Sequence, residues 1–149
     1  MPHPDPDTLS QLNAILRHML TGINQFFLHA RMLKHQGQLK LADYTYKSSI
    51  DAMKFSDMLV EHVLTLGGSP NMQDLEKLTI GQESAAMLAN DCAHAEAGLV
   101  LLRAAVAHCG ENNQKTTAEL LTRIAENQQE HVYSLRALLS SLQPIKDCA

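Results

Sequence analysis

Four stretches of the chain repeat apolar residues at spacings of three and four, and none sustains the two-residue alternation of a half-buried strand. A chain patterned this way must bury four helical stripes against one another, which predicts an all-α bundle. The first stretch carries Leu9, Leu12, Leu16, Met19, Ile23, Phe26, Ala30 and Leu33, with Asp7 or Thr8 as cap candidates and Gly37 as a stop. The second runs from Leu41 through Ala52, Phe55 and Leu59 to Leu66. It ends at Gly67-Gly68-Ser69-Pro70, where glycine can take a left-handed cap and proline cannot continue a helix. Ala85, Leu88, Cys92, Ala95, Leu99, Leu102, Val106 and Cys109 mark the third, and Thr117, Leu121, Ile124, Gln128, His131, Leu135, Leu138 and Leu142 the fourth. Helices are expected over about 8–36, 40–66, 82–109 and 113–142, within a single domain spanning 1–149.

The connections set the topology. Gly37 and the Gly110-Glu111-Asn112-Asn113 turn suit antiparallel neighbours, whereas Gly67 to about Gln82 has no helical period and is long enough to traverse a bundle. One long crossover between the second and third of four helices matches the ferritin-like arrangement. The first two helices also carry a second apolar row, with Leu20, Ile23 and Phe27 on one and Tyr46, Ile50, Met53 and Val60 on the other. A monomer would leave this row wet, so at least a dimer built on those two faces is expected.

Composition narrows the partners. Twelve Lys and Arg against 16 Asp and Glu give a formal charge of -4, and without a basic cluster this argues against nucleic acid. The most apolar segment, Ala97 to Ala107, is short and contains Arg103, and the start carries no basic region followed by an apolar one. The expectation is a soluble cytoplasmic protein without a membrane partner. Cys92, Cys109 and Cys148 form no C-x-x-C pair, and Cys92 and Cys109 on one helix would lie roughly 25 Å apart, so neither a disulfide framework nor a redox pair follows. Buried small side chains are the simpler reading of Cys92 and Cys109.

A ferritin-like oxidase needs inward carboxylates to balance two metal cations, supplied in part by Glu-x-x-His pairs. This sequence contains no Glu-x-x-His. The middle layer read from the stripes is Met19, Ala52, Phe55, Ala95, Gln128 and His131, none of them anionic. His94, Glu96 and Glu130 neighbour those positions, but about 100° of rotation per residue turns neighbours away from the seam, towards solvent or the shell interior. Gln128 and His131, three apart, suit a mutual or water-bridged hydrogen bond that satisfies a core histidine, and His62 near a seam reads the same way.

The segment Ile23-Asn24-Gln25-Phe26-Phe27-Leu28-His29-Ala30-Arg31-Met32 resembles the first-helix signature of bacterioferritins. Ser49-Ile50-Asp51, Met53-Lys54 and Asp57 resemble that family's haem segment. Pro70 to Leu75, Lys77-Leu78 and Ile80-Gly81 resemble its crossover. The likeness runs from about Leu9 to His131 and weakens through the fourth helix.

It implies that Met53 is an axial ligand of haem b shared between two subunits, with Leu20, Ile23, Asn24, Phe27, Tyr46, Ile50, Lys54 and Asp57 lining the slot; a soft thioether there favours ferrous iron. It also implies that the six di-iron positions have become Met19, Ala52, Phe55, Ala95, Gln128 and His131, only His131 keeping its identity. The resulting expectation is an iron-storage shell subunit that holds haem and passes electrons for iron release. Without a ferroxidase site, it is expected in a 24-subunit cage with stored iron, mixed with a ferroxidase-competent sister. The alternatives are a homo-oligomeric haem or electron-transfer protein without mineral, an altered ferroxidase using Gln128, His131, Glu130 and Glu96, and a haem-free shell subunit. The stretch Leu142 to Ala149 leaves no room for the family's short fifth helix, which makes cage closure less secure. Ser69 and Gln82 depart from the crossover pattern at the haem edge, which counts against docking of a ferredoxin reductant there.

Overall fold

The computed structural model describes residues 5–142. It contains α1 (Pro6–His35), α2 (Leu39–Thr65), α3 (Ser84–Glu111) and α4 (Lys115–Leu142), with no strand among the described residues. Each helix matches its apolar stretch to within two or three residues. α1 starts earlier than expected because its cap is Asp5, not Asp7 or Thr8: the Asp5 carboxylate accepts from the Asp7 amide and the Thr8 hydroxyl, and Pro6 follows where a missing amide costs nothing. Gly37 and Gly67 take positive φ just beyond α1 and α2, as the two stops required. The expected absence of a fifth helix concerns residues outside those described.

Short turns make α1 with α2 and α3 with α4 two antiparallel hairpins, joined face to face chiefly through α1 and α3; α2 and α4 touch only sparsely. The interior forms two apolar clusters. Leu12, Leu16, Leu59, Leu102, Leu121 and Ile124 fill one, and Leu33, Met87, Leu88, Leu99, Val132 and Leu135 the other. Burying a leucine side chain contributes about 1.5–3 kcal/mol, so these layers supply most of the drive to fold.

The crossover between α2 and α3 is fastened to α1 by polar side chains. Asn13 donates to the Ser69 carbonyl and accepts from the Asn71 amide. Thr21, Gln25 and His29, each four residues after the last, accept the amides of Glu76, Thr79 and Gly81. A segment with no helical period thereby finds partners for backbone donors that packing would otherwise strand. Gly81 has to be glycine, because a Cβ there would meet the Met87 amide nitrogen at 2.5 Å.

Beneath this ladder lies a buried carboxylate. Asp91 of α3 accepts from His29 Nδ1 at 2.8 Å and Gln25 Nε2 at 3.0 Å, and all three residues are almost fully buried. His29 Nε2 already accepts the Gly81 amide, so Nδ1 carries the ring proton and donates it to Asp91. Burial raises the Asp91 pKa, opposed by the His29 and Gln25 hydrogen bonds.

Candidate functional site

At the bundle centre Met19, Ala52, Ala95 and Gln128 are buried, while Phe55 and His131 are partly buried. Met19 and Ala52, with Phe55 packed against them, belong to one apolar cluster and Ala95 to the other, and none of the six residues is a carboxylate. Among the described residues no group of three or more His, Cys, Asp or Glu could hold a metal ion. The donor set does not fit a di-iron centre.

Rings occupy this volume instead. Phe26 stands edge-on to His94 on one side, 5.6 Å between centroids, and to His131 on the other, 5.5 Å. His131 Nδ1 lies 2.8 Å from the Tyr44 hydroxyl, and its buried Nε2 has no hydrogen-bond partner. Burial lowers the His131 pKa to about 4, so the ring is neutral in the folded chain. The direct bond between Gln128 and His131 is not made: Tyr44 of α2 meets the imidazole, and the Gln128 amide donates to Asn127. His94 also departs from expectation. It turns away from the seam, yet towards α1, where it stacks on His18 with centroids 3.7 Å apart. Glu96 and Glu130 are exposed; Glu96 accepts from the Cys92 thiol and Arg136. Cys92 is buried, and burial, then Glu96, pushes its thiol up to about 11, which keeps it un-ionised and unreactive. His62 is partly buried, and its Nε2 lies 2.7 Å from the Thr117 hydroxyl.

The second apolar row is uncovered. Met53 is 52% exposed, Phe27 45% and Tyr46 43%, with Asn24, Lys54 and Asp57 exposed beside them and Leu20, Ile23 and Ile50 partly buried below. Phe27 and Tyr46 are 6.4 Å apart between centroids, and the Arg31 guanidinium lies over both rings. α1 and α2 thus jointly present a shallow apolar surface with one thioether sulfur and a basic edge. Such a surface fits one wall of a planar apolar ligand whose iron accepts a soft ligand.

Against known proteins, the family model of the ferritin-like domain matches residues 9–145. Bacterioferritin of Mycobacterium avium is 33% identical over 141 residues, covering 95% of this chain and 89% of the relative. The chain belongs to the bacterioferritins. Bacterioferritin of Mycobacterium leprae is 34% identical over 136 residues, 91% of this chain and 86% of the relative. That of Rhodobacter capsulatus is 31% identical over 136 residues, 91% and 84% respectively. Membership accounts for the bundle and its long crossover.

Sequence reading missed two features of this bacterioferritin chain. One is the Asp91–His29–Gln25 group, signalled by polar residues four apart at 21, 25 and 29 on a helix that faces the crossover. The other is the His18–His94 stack. Its trace in the sequence is a histidine four residues before a glycine on each of two helices, His18 with Gly22 and His94 with Gly98.

Proposed function

We propose that this chain is an iron-storage shell subunit that binds haem b across a twofold contact of its α1/α2 faces through Met53 and lacks a ferroxidase centre of its own. One coexistence carries the reading: an apolar row with Met53 left wet outside the bundle, and described residues that nowhere group three side chains able to hold a metal ion. Haem bound there would supply a one-electron iron centre for reducing stored mineral. Met53 would ligate the iron, while Leu20, Ile23, Phe27, Tyr46 and Ile50 exclude water and Asn24, Lys54 and Asp57 form the polar margin. Two such walls, one from each protomer, are needed to enclose a planar ring, so the site is incomplete without a partner. Oxidation of ferrous iron then falls to a sister subunit with an intact di-iron site, in a cage that the family resemblance puts at 24 subunits.

A second reading, a homo-oligomeric haem protein without mineral, uses the same slot. A further uncovered surface favours the shell over this dimer. On α3 Val100 and Leu101 are exposed, and the adjoining α3/α4 surface holds an open groove of about 430 Å³ lined by Val106, Ala107, Thr122 and Ala125 together with Arg103, Glu126 and Gln129. A dimer through α1/α2 leaves that surface wet, whereas a shell gives it a neighbour.

The test is the visible spectrum of purified protein, reduced and oxidised, beside Met53→Ala. A low-spin haem spectrum in the wild type, lost in the variant, is expected; wild-type protein that takes up no added haem sinks the haem reading. Separately, the chain purified alone is expected to show no saturable, stoichiometric Fe(II) oxidation, and activity is expected to appear on co-assembly with a ferroxidase-competent subunit. Saturable oxidation by the lone chain would overturn the loss of the centre.

A further inference from the structure

His18 of α1 and His94 of α3 lie face to face, 3.7 Å between centroids and 5° from parallel. Each ring reaches the other's backbone: His18 Nε2 is 2.7 Å from the His94 carbonyl, and His94 Nε2 is 2.9 Å from the His18 carbonyl. A carbonyl only accepts, so both Nε2 atoms carry protons. The room for this reciprocal pair comes from two glycines. A Cβ on Gly22 would come within 2.9 Å of His94 Nε2, and one on Gly98 within 3.0 Å of the His18 ring.

A third group ties the pair to the crossover. His18 Nδ1 lies 2.7 Å from Glu76 Oε1, and the Glu76 amide donates to Thr21 of α1. His18, His94, Glu76, Lys77, Thr79 and Asn90 are among the residues around a cavity of about 260 Å³ beneath this part of the crossover. The titratable and charged groups facing His94 are His18 from α1, Glu76 and Lys77 from the crossover, and His131 from α4. Only Glu76 among them is anionic, and it is already engaged by His18.

We propose that the stacked His18–His94 pair is an acid-released clasp: a second proton on His94 sets it against the protonated edge of His18, and the crossover lifts from α1 over the cavity. Neither iron nor haem takes part, so the clasp stands or falls apart from the function proposed above. At neutral pH the neutral His94 ring stacks and the strap is shut. Acidification protonates the lifted state first, because water solvates a cation there that the closed stack, walled by Phe26, cannot.

Hydrogen–deuterium exchange read by mass spectrometry on the 70–82 segment tests this, with rates corrected for the intrinsic effect of pH. Burial, then the neighbouring His18, depresses the His94 pKa from 6.5 to about 4 in the closed state. With a solvated pKa near 6.5 in the open state, lifting should become roughly 20-fold more frequent between about pH 7 and pH 5. His94→Gln keeps a donor for the His18 carbonyl without a titrating group, and its exchange is expected to change less than about threefold over that range. His94→Phe, which keeps a flat ring, serves if the glutamine variant is unfolded. A wild-type rise under about threefold, an equal rise in the non-titrating variant, or a rise of the same size across the four helices each overturns the clasp.

Discussion

Asp91→Ala is expected to lower the unfolding free energy by about 2–5 kcal/mol, because it strands two buried hydrogen-bond donors. The carboxylate is 1% exposed and accepts both the His29 Nδ1 proton and a Gln25 amide proton. Alanine leaves these two buried donors unsatisfied, at about 1–3 kcal/mol each, and opens a small void. The loss should spread along the chain, because His29 and Gln25 also hold the Gly81 and Thr79 amides. Faster amide exchange across the end of the crossover should therefore accompany the lower stability. Asp91→Asn retains an acceptor oxygen of nearly the same size and should cost much less, since a buried carboxylate with a raised pKa gives up part of its gain to desolvation. Urea unfolding of the three proteins at neutral pH decides the matter. A midpoint for Asp91→Ala equivalent to less than about 1 kcal/mol of loss would show that the network contributes little.

Much of the architecture was legible because helix burial is periodic. Leu12, Leu16, Leu59, Leu102 and Leu121 fall where a 3.6-residue repeat puts them, and all are buried. Gly67 with Pro70 announced the crossover by the failure of that repeat. The exposed row was legible on the same basis, since Met53, Phe27 and Tyr46 lie off the seam that buries Ala52 and Phe26. Polar pairing between helices was not legible. That His131 meets Tyr44 rather than Gln128 depends on how α2 and α4 face each other, which no single-helix pattern contains.

His94 exposes the limit of helix-face reasoning. One residue before the core position Ala95, it rotates by about 100°, but that direction points into the α1–α3 contact and not into water. In a four-helix bundle each helix has two neighbours, so a wide arc on either side of the seam is enclosed. The absence of acidic side chains from Met19, Ala52, Ala95 and Gln128 and the row of rings beside them are complementary facts. Buried acids without metal would cost several kcal/mol each, whereas neutral imidazoles flanking Phe26 need only hydrogen-bond partners.

Those neutral imidazoles make acid the main threat to the fold. His94 and His131 are both depressed from 6.5 to about 4, chiefly by burial, and burial also lowers His62. A histidine that must stay neutral in the folded chain contributes its full stability above about pH 6.5, where the unfolded chain is neutral too, and loses it as the pH falls towards 4. At ~1.36 kcal/mol per pH unit, His94 and His131 stand to lose roughly 3 kcal/mol apiece, or about 5 kcal/mol together after discounting for their residual exposure. Asp91 has the opposite sign: burial raises its pKa, which favours the folded chain as the carboxylate protonates. Asp5 and Glu96, lowered by hydrogen bonds from His108 and from Cys92 respectively, withdraw their support as the pH falls through the ordinary carboxylate range and below. Most of the decline should therefore fall between about pH 6.5 and pH 4, and it is comparable to the whole stability of an ordinary domain, about 5–15 kcal/mol. Urea midpoints measured at half-unit steps should drop steeply there for the wild type and much less for the double variant His94→Gln, His131→Gln. If the double variant loses stability as steeply as the wild type, the acid sensitivity originates elsewhere and the two central imidazoles are not its source.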